Sequence, residues 1–65
     1  MYVVTINRMC YTTESLLKFL KKSVQLGARR RTDSQLQRWY FNFVTKEQFE
    51  EFWNFVNTVP PMEFA

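Results

Sequence analysis

Histidine is missing from this 65-residue chain, and cysteine and glycine occur once each, as Cys10 and Gly27. Without histidine no side chain has an ordinary pKa near neutrality, so general acid–base catalysis would fall to carboxylates held in a shielded pocket. With neither histidine nor a second thiol, a zinc site lacks its preferred ligands and an internal disulfide cannot form. One glycine is too few for a phosphate-cradling loop or a dinucleotide fingerprint. No apolar run approaches the roughly 20 residues of a membrane-spanning helix. The stretch from Met1 to Met9, interrupted by Arg8, is also too short for the apolar core of a signal peptide. These shortages lead to the expectation of a non-enzymatic protein with no metal or cofactor and no membrane association. A reducing compartment, the cytoplasm in the simplest case, is its expected setting.

Two weaker sources of chemistry are set aside on the same grounds. Glu47, Glu50 and Glu51 are close in sequence, but glutamates on a helix surface are usually solvated caps. Cys10 has Arg8 nearby, yet no base accompanies it, and a cysteine beside a strand is more often a small buried hydrophobe.

What the chain has in quantity is aromatic side chains, with seven phenylalanines, three tyrosines and two tryptophans. In a chain long enough for one small core and too short for two domains, large rings supply apolar area that length does not. Charge is the second strong feature. All nine basic residues lie within residues 1–46, against only Glu14 and Asp33, whereas residues 47–65 carry Glu47, Glu50, Glu51 and Glu63 and no base. The chain is thus a charge dipole in sequence, suited to a polyanion, an acidic protein surface or a second copy of itself.

Periodicity divides residues 1–65, read as one domain, into five elements and a tail. Residues 2–8 are rich in β-branched side chains and form a strand, with Tyr2, Val4 and Ile6 on the core face and Val3, Thr5 and Asn7 on the other. Thr12 or Thr13 caps a helix over 13–26 that ends at Gly27. Its apolar half holds Leu16, Leu17, Phe19, Leu20, Val24 and Leu26, and Lys18, Lys21, Lys22 and Gln25 lie on the other half. Residues 28–33 read as a weak edge strand or a loop, since Arg29, Arg30 and Arg31 show no apolar alternation. Residues 36–44 form the clearest strand, in which Trp39, Phe41 and Phe43 alternate with Arg38, Tyr40 and Asn42. Thr45 and Gln48 make a capping-box pattern ahead of a helix over 46–59. Phe49, Phe52, Trp53, Val56 and Val59 share its apolar stripe and Phe55 sits at the border. Pro60-Pro61 ends that helix and leaves a tail over 60–65.

Two half-apolar helices and one aromatic sheet face satisfy each other in a two-layer α+β sandwich, a β-α-(β)-β-α chain with a short two- or three-stranded mixed or antiparallel sheet and both helices on one face. The opposite sheet face is then bare. Val3, Arg38 and Tyr40 on that face, with Arg29, Arg30 and Arg31, form the expected partner-binding surface for an acidic patch of a larger protein. Such a module would be an inhibitor or adaptor. Its small size suits a compact genome, such as that of a virus or mobile element.

The alternative is nucleic-acid binding, in which Lys18, Lys21 and Lys22 contact phosphates and Tyr40 stacks bases on the open face. Over Arg38 to Val44 the chain resembles the aromatic strand of the RNA-recognition sheet, although Trp39 stands where that motif carries glycine. The protein reading ranks above it, because the acidic C-terminal segment would repel a polyanion if it lay beside the arginines. Pairing of bare faces or edges would instead give a homodimer.

Overall fold

The computed structural model describes residues 1–62. Its elements are strand β1 (Tyr2–Asn7), a 3-10 turn (Arg8–Cys10), helix α1 (Thr13–Gln25), strand β2 (Arg29–Asp33), strand β3 (Arg38–Phe43) and helix α2 (Lys46–Asn57). The sheet has three strands in the order β1-β3-β2, and both outer strands run antiparallel to β3. The fold is therefore the expected two-layer α+β sandwich. The sheet is purely antiparallel, and residues 29–33 are an edge strand, not a loop.

Local chemistry explains the boundaries. The first strand stops one residue earlier than its composition suggests, because the Asn7 side chain accepts from the Met9 amide and turns the chain into the 3-10 segment. Thr12 is the cap of α1, with its hydroxyl accepting from the Ser15 amide at 3.1 Å. Gly27 follows with a φ of 75°, the left-handed conformation that glycine adopts without penalty. A four-residue turn joins β2 to β3. In it Asp33 Oδ1 accepts from the Leu36 amide, and Gln37 takes a φ of 55°, so Leu36 and Gln37 belong to the turn rather than to the strand. Thr45 caps α2 through the Gln48 amide at 3.3 Å, and the Thr58 hydroxyl closes the helix on the Phe55 carbonyl. In the tail, the Met62 amide donates to the Cys10 carbonyl at 2.6 Å, and Cys10 itself is half-buried. Glu63, Phe64 and Ala65 lie outside the described residues.

The core is Val4, Ile6, Phe19, Trp39, Phe41, Phe43, Phe52 and Val56. Phe52 sits at its centre, 4.9 Å from the Phe41 ring, 5.1 Å from Phe43 and 6.4 Å from Phe19, in the tilted and edge-on geometries that ring quadrupoles favour. The strand alternation therefore holds: Trp39, Phe41 and Phe43 are buried and Arg38 is exposed.

The helices depart from expectation at their flanks. Leu17 and Val24 of α1 are 60% and 75% exposed, and Trp53 of α2 is 46% exposed, whereas Phe55 is half-buried against Phe19. The cause is lateral packing. α1 and α2 contact each other through Lys22, Phe19 and Phe55, so the apolar residues on their outer flanks hang beyond the sheet's cover.

Candidate functional site

Residues paired across antiparallel strands project on the same side of the sheet, so the register fixes both faces. On the helix side, Phe41 pairs with Val4 and Arg30, and Trp39 with Ile6 and Thr32. The opposite face is a grid of three rows: Val3, Asn42 and Arg29; Thr5, Tyr40 and Arg31; Asn7, Arg38 and Asp33. No helix covers it. Of the expected contact residues, Val3, Arg29, Arg31, Arg38 and Tyr40 thus come together on one surface. Arg30 does not join them. Its neighbours in the triplet face outward, and alternation turns it to the helix side, where its guanidinium lies 4.8 Å from the centre of the Trp39 ring.

Tyr40 occupies the middle of the grid, half-buried between its row neighbours, with the Arg31 guanidinium 5.0 Å from the centre of its ring. That cation–π contact steadies the guanidinium, which has no ion-pair partner among the described residues. The Asn42 amide reaches the Arg29 carbonyl at 3.5 Å, which braces the first row. Three arginines against one aspartate make the face positive, and among the described residues none of the arginines is in an ion pair.

The lysines are arranged differently. Lys18 pairs with Glu14 at 3.9 Å and Lys46 with Glu50 at 3.8 Å, both exposed. Lys22 is turned toward α2, where it meets Glu51 at 3.8 Å and lies 5.8 Å from the centre of the Phe55 ring. The expected trio of phosphate contacts, Lys18, Lys21 and Lys22, lines one shallow hollow with Gln25 and Phe55, and Lys22 serves the helix–helix seam as well. All of these groups belong to the helix layer, across the sheet from the arginine grid.

Two features of the helix side went unread in the sequence. Leu17, Leu20 and Val24 line a hollow of about 700 Å³ along α1, rimmed by Glu14, Lys18, Lys21 and Gln25. A second cleft, of about 430 Å³, opens next to it between the 3-10 turn and α1, lined by Arg8, Met9, Tyr11, Leu16, Gln37 and Trp39 among others. Burial, and secondarily the neighbouring Cys10, pushes the Tyr11 hydroxyl above its ordinary pKa of 10.0. No signal in the sequence marks either feature, because both depend on which flank of α1 the second helix takes.

Among the described residues no cluster of three or more histidine, cysteine, aspartate or glutamate side chains could hold a metal ion, and no helix is long and apolar enough to cross a membrane. No family model matches the chain, and no curated protein and no solved structure matches it either.

Proposed function

We propose that this chain is a protein-binding module, without catalytic activity of its own, whose bare sheet face docks on an acidic surface of a larger protein as an inhibitor or adaptor does. The observation that carries this reading is the grid itself: Arg29, Arg31 and Arg38 surround Tyr40 on a regular strand scaffold, with Val3 and Thr5 completing a flat and partly apolar floor. Arginine and tyrosine supply binding energy at the centres of protein interfaces, and stacked guanidiniums lose little freedom when a carboxylate arrives. Strands hold these side chains more rigidly than a loop would, which lowers the entropic cost of docking.

One observation favours the nucleic-acid alternative. Glu47, Glu50 and Glu51 all ride on α2, on the far layer, so they do not oppose a polyanion at the grid. The same separation removes the lysines from it, leaving a small basic patch with an aspartate at one corner. Binding to single- or double-stranded oligonucleotides should then be no tighter than about micromolar and should weaken steeply with salt. Tight, sequence-selective binding would reverse the ranking.

The test is affinity capture from the native host lysate, with and without nuclease, comparing the wild type, the open-face variant Arg31→Ala/Tyr40→Ala and the helix-layer variant Lys18→Ala/Lys21→Ala. A partner retained after nuclease, lost from the first variant by about tenfold or more and kept by the second, supports the reading. Equal recovery on all three proteins contradicts it. Circular dichroism of each variant checks that the fold is intact.

A further inference from the structure

β1 is an edge strand: it pairs with β3 on one side, and no strand among the described residues pairs with the other. The backbone groups left over can be named. The Arg8 amide donates to the Gln37 carbonyl at 2.8 Å, which makes those two residues a hydrogen-bonded pair continuing the β1–β3 register. Bonded and non-bonded pairs alternate along an antiparallel ladder, so Val4 and Ile6 bond to β3 and the N–H and C=O groups of Val3 and Thr5 point to the free edge. Among the described residues they meet no other backbone group there. The two edges of the sheet differ in protection. β2 carries three arginines, which discourage a further strand, whereas Tyr2–Asn7 has no charge and no proline, and its pairing with β3 is continuous, without a bulge.

An apolar flank overhangs this open edge. Phe49 rests on Tyr2, with ring centres 5.5 Å apart, and Trp53 stands one helical turn further along α2. Phe55 faces α1 through Phe19, so Trp53 looks the other way, out over β1, and it is exposed together with Tyr2 and Val3. A second β1 added here would create a twofold axis between the two strands. Because α2 lies over both β1 and β3, its own axis stands about one strand spacing, roughly 4.8 Å, from that twofold. The two α2 helices would then run about 10 Å apart, the distance at which helices pack side by side. A lone peptide strand would satisfy the edge and leave Trp53 bare, whereas a second copy covers both. We propose that this chain forms a twofold dimer in which β1 pairs antiparallel with β1 of a second copy, Val3 bonding to Thr5 of that copy, while the two Trp53 flanks close over the joint. Charge permits this pairing, since β1 carries none and Lys46, on the same flank of α2, is already paired with Glu50. Face-to-face pairing of the bare sheets would instead set arginine against arginine. The twofold axis is perpendicular to the sheet, so the two three-stranded sheets become one and both arginine grids lie on the same side of it. The dimer does not rest on the docking role assigned to that face.

Sedimentation of the purified chain tests the proposal. A monomer–dimer equilibrium with a dissociation constant of about 10 µM is expected, changed by less than about twofold in 1 M salt, because the joint is made by backbone and apolar groups. Thr5→Pro removes an N–H that points to the free edge, a change that an edge strand tolerates, and should weaken the dimer about tenfold or more while circular dichroism stays that of the wild type. Trp53→Lys and Trp53→Glu each bring like charges together across the twofold axis, so each variant should sediment as a monomer at about 100 µM, and an equimolar mixture of the two should dimerise again. If Thr5→Pro does not fold, that mixture decides the matter. A wild type that stays monomeric at about 500 µM overturns the proposal. So does a dimer that survives all three substitutions, or one that falls apart in high salt and therefore owes its existence to the charge dipole. Amides of Val3 and Thr5 that resist hydrogen exchange only after a foreign protein is added would assign the edge to that protein's strand, and overturn it as well.

Discussion

Phe52 shows how much a single ring carries in so small a core. It is fully buried and meets Phe19, Phe41 and Phe43, so it joins two of the three inward rings of β3 to both helices. Phe52→Ala removes that junction and leaves a cavity that the surrounding rings cannot close. The expected loss is about 3–5 kcal/mol, measured by urea denaturation, and a loss under about 1 kcal/mol would show that the rings repack around the gap. Phe52, Phe41 and Phe43 were legible in the sequence, because alternation in β3 and the stripe of α2 each offer only one apolar face. Trp53 was not. It stands on the flank of its helix opposite Phe55, and nothing in a helical wheel says which flank will meet α1. The structure resolves the ambiguity through Phe19, which takes Phe55 as its edge-on partner at 6.1 Å and leaves Trp53 half outside. The same reasoning applies to Arg30, whose position in a run of three identical residues carries no information about facing until the strand is paired.

At the scale of elements, the starts of α1 and α2 were readable because capping chemistry is local, whereas α2 stops at Asn57, short of the expected 59. Thr12 and Thr45 each offer a hydroxyl to the amide three residues on, and each sits just before an amphipathic run. Thr12→Ala should lower stability by about 1 kcal/mol, whereas Thr12→Ser, which keeps the acceptor, should cost only a few tenths. A loss of similar size in both variants would mean that the methyl group, not the hydroxyl, holds the start of α1. β2 is the contrasting case. Arg29-Arg30-Arg31 has no alternation of its own, and its strand character comes from pairing with β3, a non-local contact. Its charge fits an edge position, since a row of arginines discourages a second copy of the same strand from adding there. The connection between β1 and β2 was similarly open: α1 returns the chain parallel to β1, but β3 is inserted between the two strands, so the crossover and the hairpin occur together.

At the scale of the whole molecule, the charge dipole of the sequence becomes a division between layers. The helix layer carries Glu14, Glu47, Glu50 and Glu51 together with all four lysines, and most of these charges neutralise one another, Lys22 and Glu51 at the helix–helix seam and the other two pairs at exposed positions of little energetic weight. The bare sheet face keeps Arg29, Arg31 and Arg38 around Tyr40, with Asp33 as its one carboxylate among the described residues. This polarity is what the proposed docking role depends on, and it arises from one choice of register: Trp39, Phe41 and Phe43 inward, Arg38, Tyr40 and Asn42 outward. The measurement that addresses it most directly is hydrogen exchange combined with side-chain footprinting of the chain bound to its captured partner. Protection should gather on Val3, Thr5, Tyr40 and the arginines beside them, while the outer surface of α2 stays as reactive as in the free protein. Protection confined to the two helices, with Tyr40 labelled equally in the free and bound states, would contradict the assignment of the sheet face as the docking surface.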